Sequence, residues 1–246
     1  MSGKSINIRS SAGGEFACYL VTPETDGRVP AVVLASTVHG VDADIREIAD
    51  EFASHGFIAA APDLFWRSIT EPHSHDTHHV VQHAPSRLEQ IKSGEADMAD
   101  TLAHLDLLSI FNGRAAAMGL CYGGPYAILG PKRLGYAAGI ACHGTQMLDY
   151  LRELDGIDAP VCIVWGDQDH RAPVEVLDGY RDKAARMTNV EVHIFPGVQH
   201  GYMMRGSPKA FDSATRDFSM GRALAILGGL RGRPVERFSY RRGRTD

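Results

Sequence analysis

The first residue whose setting indicates chemistry is a cysteine surrounded by glycines. Residues 119–124 read "GLCYGG", directly after the apolar run "RAAAM", so Cys121 lies among Gly119, Gly123 and Gly124. In a nucleophile elbow a strand turns sharply into a helix, and small residues flank the nucleophile because Cβ atoms would not fit near the turn. Backbone N–H groups at the start of the helix favour a thiolate. The motif therefore predicts a catalytic thiol at Cys121 and not an inert buried cysteine.

A base and an acid that could serve this thiol follow it in the chain. A catalytic cysteine needs a base, and the base needs an acid to orient it. Asp167 and Asp169 come after the run "PVCIVWG", and His200 comes after "VEVHIFP". We predict Asp169 as the acid because "GDQDHRAP" needs a few residues to curl from a strand end toward the histidine. Asp167 remains the alternative. His39 and His143 also follow apolar runs but precede the acid, and we rank them below His200.

These residues must be positioned by the short apolar runs that recur along the chain. The runs are "EFACYLV" (15–21), "AVVLAS" (31–36), "FIAAAP" (57–62), "RAAAMG" (114–119), "YAAGIAC" (136–142), "PVCIVWG" (160–166) and "VEVHIFP" (190–196). Their length predicts strands. Apolar residues at a helical period lie between them, at Ile45, Ile48, Ala49, Phe52 and Ala53 and again at Met98, Leu102, Leu105 and Leu108. Strands and helices therefore alternate.

This alternation predicts an α/β fold. Parallel strands need crossover connections, and helical crossovers cover both faces of the sheet. The order nucleophile, acid, base at successive strand ends is that of the α/β-hydrolase fold, so we expect a mostly parallel sheet with helices on both faces. In this fold two backbone N–H groups stabilise the oxyanion, and topology assigns them to Val38 and Tyr122. We expect residues 1–246 to form a single domain that ends in a tail.

Composition and charge set limits on other functions. Hydrophobic residues make up 44% of the 246 residues and charged residues 22%, which is typical of soluble globular proteins. No secretory signal or membrane-length apolar run is visible, so we expect a cytoplasmic protein, with neither a membrane nor a nucleic acid as partner. The formal net charge of −5 supports the latter point, although residues 231–246 hold six arginines. We interpret this tail as a solvated terminus, with an interaction tail as the alternative. The four scattered cysteines predict free thiols.

Residues 66–87 form an irregular segment that contains five histidines. The segment follows a predicted strand, and we expect it to pass over the pocket. Its histidines resemble metal ligands at first sight, but their spacing lacks regular pairs and no cysteine lies nearby. We therefore predict no metal site here, and we keep metal binding as the alternative. The histidines concerned are His73, His75, His78, His79 and His83.

Several motifs together resemble the dienelactone hydrolase family. They are "GLCYGGP", "WGDQDHRAP", "PGVQHGY" and the long stretch "HGVDADIREIADEFASHGFIAAAPDLFWR". The likeness spans roughly residues 5 to 228. It implies that Cys121, Asp169 and His200 form a catalytic triad. It further implies a single-domain enzyme that hydrolyses small lactones and esters without a metal or organic cofactor.

The chain also departs from the pattern of that family. Where the resemblance implies a glutamate that interacts with the resting cysteine, "LASTVHG" has Thr37, which cannot hold a charge. The family binds a substrate carboxylate through arginines, for which Arg87 and Arg205 are the nearest candidates. Thr37 and His39, at the same strand end, complete the predicted substrate-binding residues.

We accordingly expect a hydrolase of small esters or lactones that acts through an acyl-enzyme, either as a monomer or as a small homo-oligomer. A thioesterase or related acyl hydrolase is the alternative within the enzyme class. A binding protein for a ligand or metal, built on a hydrolase scaffold without activity, is the alternative outside it.

Overall fold

The computed structural model describes residues 3–67 and 87–232. In this part of the chain eight strands form one sheet in the order β1-β2-β4-β3-β5-β6-β7-β8. The strands are β1 (Lys4–Arg9), β2 (Glu15–Val21), β3 (Val29–Ala35), β4 (Ile58–Pro62), β5 (Phe111–Leu120), β6 (Ala138–Cys142), β7 (Val161–Gln168) and β8 (Val190–Gln199). Each of the seven apolar runs forms a strand. Strand β1 was not predicted, because in this edge strand only Ile8 is buried and the apolar run that marks the other strands is missing.

The sheet is mostly parallel, which confirms the predicted fold class. Strands β3 to β8 pair in parallel, whereas β1 and β2 add an antiparallel edge. Every residue of β3, β4 and β6 is buried, as expected for strands covered on both faces. The carboxyl ends of the parallel strands meet at one edge of the sheet. The segments that follow β3, β5, β6, β7 and β8 are therefore brought together there.

Helices cover both faces of the sheet. They are α1 (Ala43–Ser54), α2 (Arg87–Leu105), α3 (Tyr126–Leu129), α4 (Val174–Ala184) and α5 (Ser213–Gly229). Buried side chains of α1 and α5 join Val32 and Leu34 of β3 in one apolar cluster. Those of α2, α3 and α4 join Val33 and Ala35 in the other cluster. The alternation of side chains along one strand thus supplies two cores.

Helix α1 shows how the sequence pattern forms such a layer. Asp42 caps its first turn, and its side chain accepts a hydrogen bond from the Ile45 N–H at 3.0 Å. The apolar positions of the predicted helical period are all buried against the sheet. In α2 the period ends earlier than predicted, since the helix ends at Leu105 and Leu108 lies in the connection to β5.

A buried carboxylate on α2 anchors the segment that follows β4. Asp97 is fully buried and accepts hydrogen bonds from the Ser10 hydroxyl, the Trp66 indole and the Arg67 guanidinium, the last as a fork at 2.6 and 3.0 Å. The fork neutralises the charge and leaves the carboxylate well satisfied.

Replacing Asp97 by alanine should lower the free energy of unfolding. The change leaves the Ser10 hydroxyl, the Trp66 indole and the Arg67 guanidinium without their shared acceptor. We expect a loss of about 3 kcal/mol, the lower end of the range for broken buried pairs, because the Arg67 side chain is 27% exposed. Urea denaturation measures the change. The control is Asp178→Ala, which removes an exposed pair with Arg181 and should cost less than about 1 kcal/mol. Equal losses in both variants would contradict the role of Asp97.

Candidate active site

Cys121 lies at a sharp turn between β5 and a helical segment. Its backbone φ is 52°, a left-handed conformation that residues other than glycine rarely adopt and that indicates strain. A Cβ atom on Gly119 would lie 2.1 Å from the Gly123 carbonyl oxygen, and one on Gly123 would lie 2.1 Å from the Ala35 carbonyl oxygen. The glycines of "GLCYGG" are therefore required by close backbone approach. The turn has the geometry of a nucleophile elbow.

A chain of hydrogen bonds joins Cys121 to a histidine and an aspartate. His200 follows β8, and its Nε2 lies 3.1 Å from the Cys121 Sγ. The other ring nitrogen, Nδ1, lies 2.9 and 3.0 Å from the two carboxylate oxygens of Asp169, which follows β7. The backbone N–H of Arg171 donates to the same carboxylate at 2.8 Å and fixes its orientation. The structure thus brings together the three residues predicted as a triad, although their catalytic roles remain a proposal.

The electrostatics of this chain favour a protonated His200. Burial disfavours the imidazolium, but hydrogen bonds and negative charge from Asp169 and Cys121 outweigh it and raise the pKa of His200 to about 9. At neutral pH the imidazole therefore holds a proton and faces the sulfur. Such a pair can deliver a thiolate for attack and a proton for a leaving group.

Asp167, the alternative acid, serves the sheet and not the histidine. This exposed carboxylate accepts the Gly197 N–H at 2.7 Å and so links the ends of β7 and β8. The side-chain amide of Gln168 also donates to it, at 3.2 Å. In this geometry Asp169 is the carboxylate that orients His200.

The end of β3 lies against the elbow. The Gly123 N–H donates to the Ser36 carbonyl at 3.1 Å. Among the described turns and loops, the Val38 N–H donates to no backbone carbonyl. The role of the Val38 and Tyr122 N–H groups as oxyanion donors remains a prediction.

Thr37 and His39 form a turn at this strand end. The Thr37 side chain is buried, and its hydroxyl accepts the His39 N–H at 3.2 Å. The Gly40 N–H closes the turn on the Thr37 carbonyl at 3.1 Å. His39 itself is exposed. Position 37 therefore carries a hydroxyl that is used in a local turn, where the family resemblance implies a carboxylate.

Arg87 and Arg205, the predicted carboxylate ligands, lie in different settings. Arg87 begins α2 and donates to the carbonyls of Tyr122 and Thr145 at 2.9 and 3.0 Å. Burial lowers its pKa, whereas electrostatic interactions with Tyr122 and Cys121 act in the opposite direction. Arg205 instead pairs with Glu47 of α1, with Nε 2.7 Å from Oε1. The structure thus brings Arg87 to the elbow, while the substrate-binding role of Arg205 remains a prediction.

Sequence reasoning gave too little weight to a fourth residue, which lies beside the triad. His143, ranked only as a weaker candidate base, follows β6 with a φ of 41° and is fully buried. Its ring centroid lies 5.0 Å from that of His200 and 5.1 Å from that of Tyr202, edge to face. Burial and the charge of His200 hold the pKa of His143 well below its usual range, so the ring is neutral. The sequence did contain a signal for this residue, because "CHG" follows a predicted strand and so places His143 at the carboxyl edge of the sheet.

Two groups of side chains could hold a metal ion by the closeness of their ligand atoms. One is Cys121, His143 and His200, and the other is Cys162, Glu191 and His193. Within the second group Glu191 already accepts from Arg222 at 2.7 Å and contacts His193 at 3.0 Å. The histidines at positions 73 to 83 lie outside the described residues. None of the helices in residues 3–67 and 87–232 is long and apolar enough to cross a bilayer.

Comparisons with solved structures agree with the fold. A dienelactone hydrolase-like promiscuous phosphotriesterase from metagenomic libraries superposes with a TM-score of 0.79 at 16% identity, covering 94% of this chain and all of that one (100%). Dienelactone hydrolase from Anabaena variabilis gives 0.67 at 13% identity, with 93% and 97% covered. At these identities the likeness concerns the fold alone.

Comparisons of sequence are more specific. Carboxymethylenebutenolidase 1 of Cupriavidus pinatubonensis is 28% identical over 240 residues, covering 94% of this chain and 99% of that protein. Carboxymethylenebutenolidase of a Pseudomonas species is 26% identical over 223 residues, with 88% and 91% covered. The family model for dienelactone hydrolases matches residues 16–228, which include the elbow, Asp169 and His200. The chain therefore belongs to the dienelactone hydrolase family, as its motifs predict.

Proposed function

We propose that this protein hydrolyses small carboxylic esters or lactones through a thioester on Cys121. Two hydrogen bonds carry the proposal. His200 Nε2 lies 3.1 Å from the Cys121 Sγ, and His200 Nδ1 lies 2.9 Å from the Asp169 carboxylate. The relatives named carboxymethylenebutenolidase support lactones as the substrate class.

In the first half of the reaction, the Cys121 thiolate attacks the carbonyl carbon and the C=O electron pair moves onto oxygen. The Val38 and Tyr122 N–H groups stabilise that oxyanion. When the C=O bond re-forms, the C–O bond of the ester breaks, and the leaving alkoxide takes the proton from His200 Nε2. A lactone yields an acyl-enzyme that retains its own hydroxyl group.

In the second half, water attacks the thioester carbonyl while His200 accepts a proton from the water. The C–S bond breaks and the thiolate is restored, so that the carboxylic acid leaves and the imidazolium again faces the sulfur. Asp169 keeps the Nδ1 proton in place throughout and stabilises the imidazolium. The cycle needs water as its only co-reactant.

Arg87 supports a preference for substrates with a carboxylate near the reacting carbonyl. Its guanidinium stacks over the Tyr122 ring at 4.2 Å and is held by backbone carbonyls that do not neutralise its charge. Its Nε is buried without an acceptor among the described residues. A substrate carboxylate would supply a counter-charge that the described residues do not give to Arg87.

Turnover of a matched substrate panel tests the proposal. The panel compares a five-membered unsaturated lactone that bears a carboxylate, the methyl ester of that carboxylate, p-nitrophenyl acetate and an acyl thioester. We expect hydrolysis of the lactones and the aryl ester, with kcat/KM highest for the free carboxylate. Turnover confined to the thioester would favour the acyl-hydrolase alternative, and turnover of none would favour a binding protein. The cytoplasmic location and the oligomeric state remain predictions from the sequence.

Thr37→Glu should slow alkylation of Cys121 in the free enzyme. A carboxylate at this strand end would disfavour a thiolate on the neighbouring elbow through like charge. Thr37→Gln is the matched control, because it adds the same bulk without charge. Iodoacetamide labelling, followed by peptide mass spectrometry, should give a lower rate for the Glu variant than for the Gln variant. Equal rates in the two variants would show that charge at position 37 does not act on the cysteine.

A further inference from the structure

His143 is a buried imidazole whose two ring nitrogens lack a hydrogen-bond partner among the described residues. Its side chain is fully buried, and its backbone N–H is held by the Val164 carbonyl at 2.9 Å. Buried polar groups are nearly always satisfied, so an imidazole with two unused nitrogens requires an explanation. In the reaction cycle proposed above His143 performs no step.

The unused nitrogens lie beside two strong metal ligands. One ring nitrogen of His143, one of His200 and the Cys121 Sγ all lie within 4.8 Å of one another. In a tetrahedral zinc site, with Zn–S near 2.3 Å and Zn–N near 2.0 Å, ligand atoms lie about 3.5 Å apart. Closing the difference requires side-chain movements of roughly 1 Å, without any change in the fold.

The surroundings of His200 match a zinc site as well. A metal-binding histidine usually donates its second ring N–H to a carboxylate, which fixes the ring and strengthens the ligand. Asp169 occupies this position on His200 Nδ1 at 2.9 Å, so Nε2 is left to face the metal. One thiolate and two imidazoles form a donor set that suits zinc and excludes the hard ions Mg²⁺ and Ca²⁺.

We propose that Cys121, His143 and His200 bind a single zinc ion that reversibly inhibits the enzyme. The ion takes the sulfur lone pair needed for attack and the Nε2 lone pair needed for proton transfer, and the proton shared by Cys121 and His200 is released to solvent. His143 supplies the third ligand, and the fourth position is open to water. The metal site stands on geometry alone, whereas the inhibition rests on the proposed function.

Zinc titration of the metal-free enzyme tests the inhibition. Added zinc should abolish hydrolysis of p-nitrophenyl acetate at one ion per chain, and EDTA should restore it. Mg²⁺ and Ca²⁺ at equal concentrations should have no effect. Competition with a chromophoric chelator measures zinc affinity directly, without reference to activity.

His143→Asn separates the proposed site from a simpler Cys121–His200 pair. Asparagine tolerates the positive φ at this position but provides no imidazole. Removing a residue that only hydrogen-bonds to a metal ligand weakens metal binding roughly 10- to 100-fold. Removing a direct ligand such as His143 should therefore weaken it at least about tenfold. Metal-free hydrolysis should be retained. His55→Ala, which removes an exposed histidine that follows α1, is the matched control and should bind zinc as the wild type does.

Binding of Co²⁺ tests the site even if the His143→Asn variant does not fold. The Co²⁺ complex of the wild type should show a thiolate-to-metal charge-transfer band that Cys121→Ala lacks, and X-ray absorption of the zinc complex should give one sulfur and two imidazole ligands. A wild type without this band, a shell with one imidazole, or an unchanged zinc affinity in His143→Asn would each overturn the site. A protein that binds zinc in this way yet hydrolyses no ester would refute the proposed function and leave the site standing.

Discussion

Cys121→Ala should abolish hydrolysis of p-nitrophenyl acetate while leaving the protein folded. Without the sulfur no acyl-enzyme can form. Water would then have to attack the ester directly, in one difficult step that the cysteine otherwise divides into two easier ones. We expect kcat to fall by at least about 10⁴-fold. A serine-protease triad that loses its nucleophile loses roughly 10⁶-fold in kcat. Steady-state rates, together with a thermal unfolding curve for the variant, measure both effects.

His200→Ala should lower kcat almost as much as Cys121→Ala, and the double variant should be no worse than either one. Members of a triad act as a unit, so their losses do not add. The buried thiols provide controls, since they take no part in the hydrogen bonds that join Cys121, His200 and Asp169, and we expect far smaller effects when they are replaced by alanine; they are Cys18, Cys142 and Cys162. Wild-type rates in Cys121→Ala would rule out the assigned nucleophile.

Asp169→Asn should have the second largest effect, a fall in kcat of about 10³- to 10⁴-fold. The neutral amide can present an N–H to His200 Nδ1, and the imidazole is then held in the wrong tautomer. Burial alone would lower the pKa of His200, but the charge of Asp169 helps to raise it to about 9, and the substitution removes this charge. The proton on His200 should therefore be lost at lower pH, and the alkaline limb of the rate profile should move in that direction.

Asp167→Asn is the matched control for the acid. It makes the same chemical change two residues earlier, at a carboxylate that accepts from the Gly197 N–H. It should act on the β7–β8 connection and leave kcat within a few-fold of the wild type. If Asp167→Asn were the more damaging change, the acid would be Asp167 and the interpretation of the "GDQDH" turn would be wrong.

The sequence was sufficient to predict the fold and the elbow because both depend on local patterns. Buried parallel strands are nearly continuous apolar runs, and β3 and β6 are apolar throughout. The glycines around Cys121 are required by contacts within a few residues, as the 2.1 Å approach of a Gly119 Cβ to the Gly123 carbonyl shows. Strand β1 was not predicted, because an edge strand needs little apolar surface and so lacks an apolar run.

Residues whose roles depend on contacts across the sheet could not be settled in this way. The choice between Asp167 and Asp169 follows from a turn whose conformation the sequence does not specify. The closeness of His143 and His200 depends on β6 and β8 lying on either side of β7, which is a property of strand order. Arg205 illustrates the same limit, since its ion pair with Glu47 joins residues far apart in the chain.

The zinc site adds a consequence for assays of this protein. If Cys121, His143 and His200 bind the ion as proposed, zinc carried over from purification would suppress hydrolysis and could be mistaken for lack of function. Rates should therefore be measured after treatment with a chelator. His143→Asn would then be active in zinc-containing buffer in which the wild type is not.

Trapping of the acyl-enzyme tests the central claim, that Cys121 is the nucleophile of an ester hydrolase, most directly. The chelator-treated wild type is mixed with p-nitrophenyl acetate, quenched with acid within the first turnovers and digested for peptide mass spectrometry. We predict one acetyl group on the peptide that contains Cys121, released by hydroxylamine and absent from Cys121→Ala. Continued turnover with no acyl group on Cys121, or an acyl group on another residue in its place, would contradict the claim.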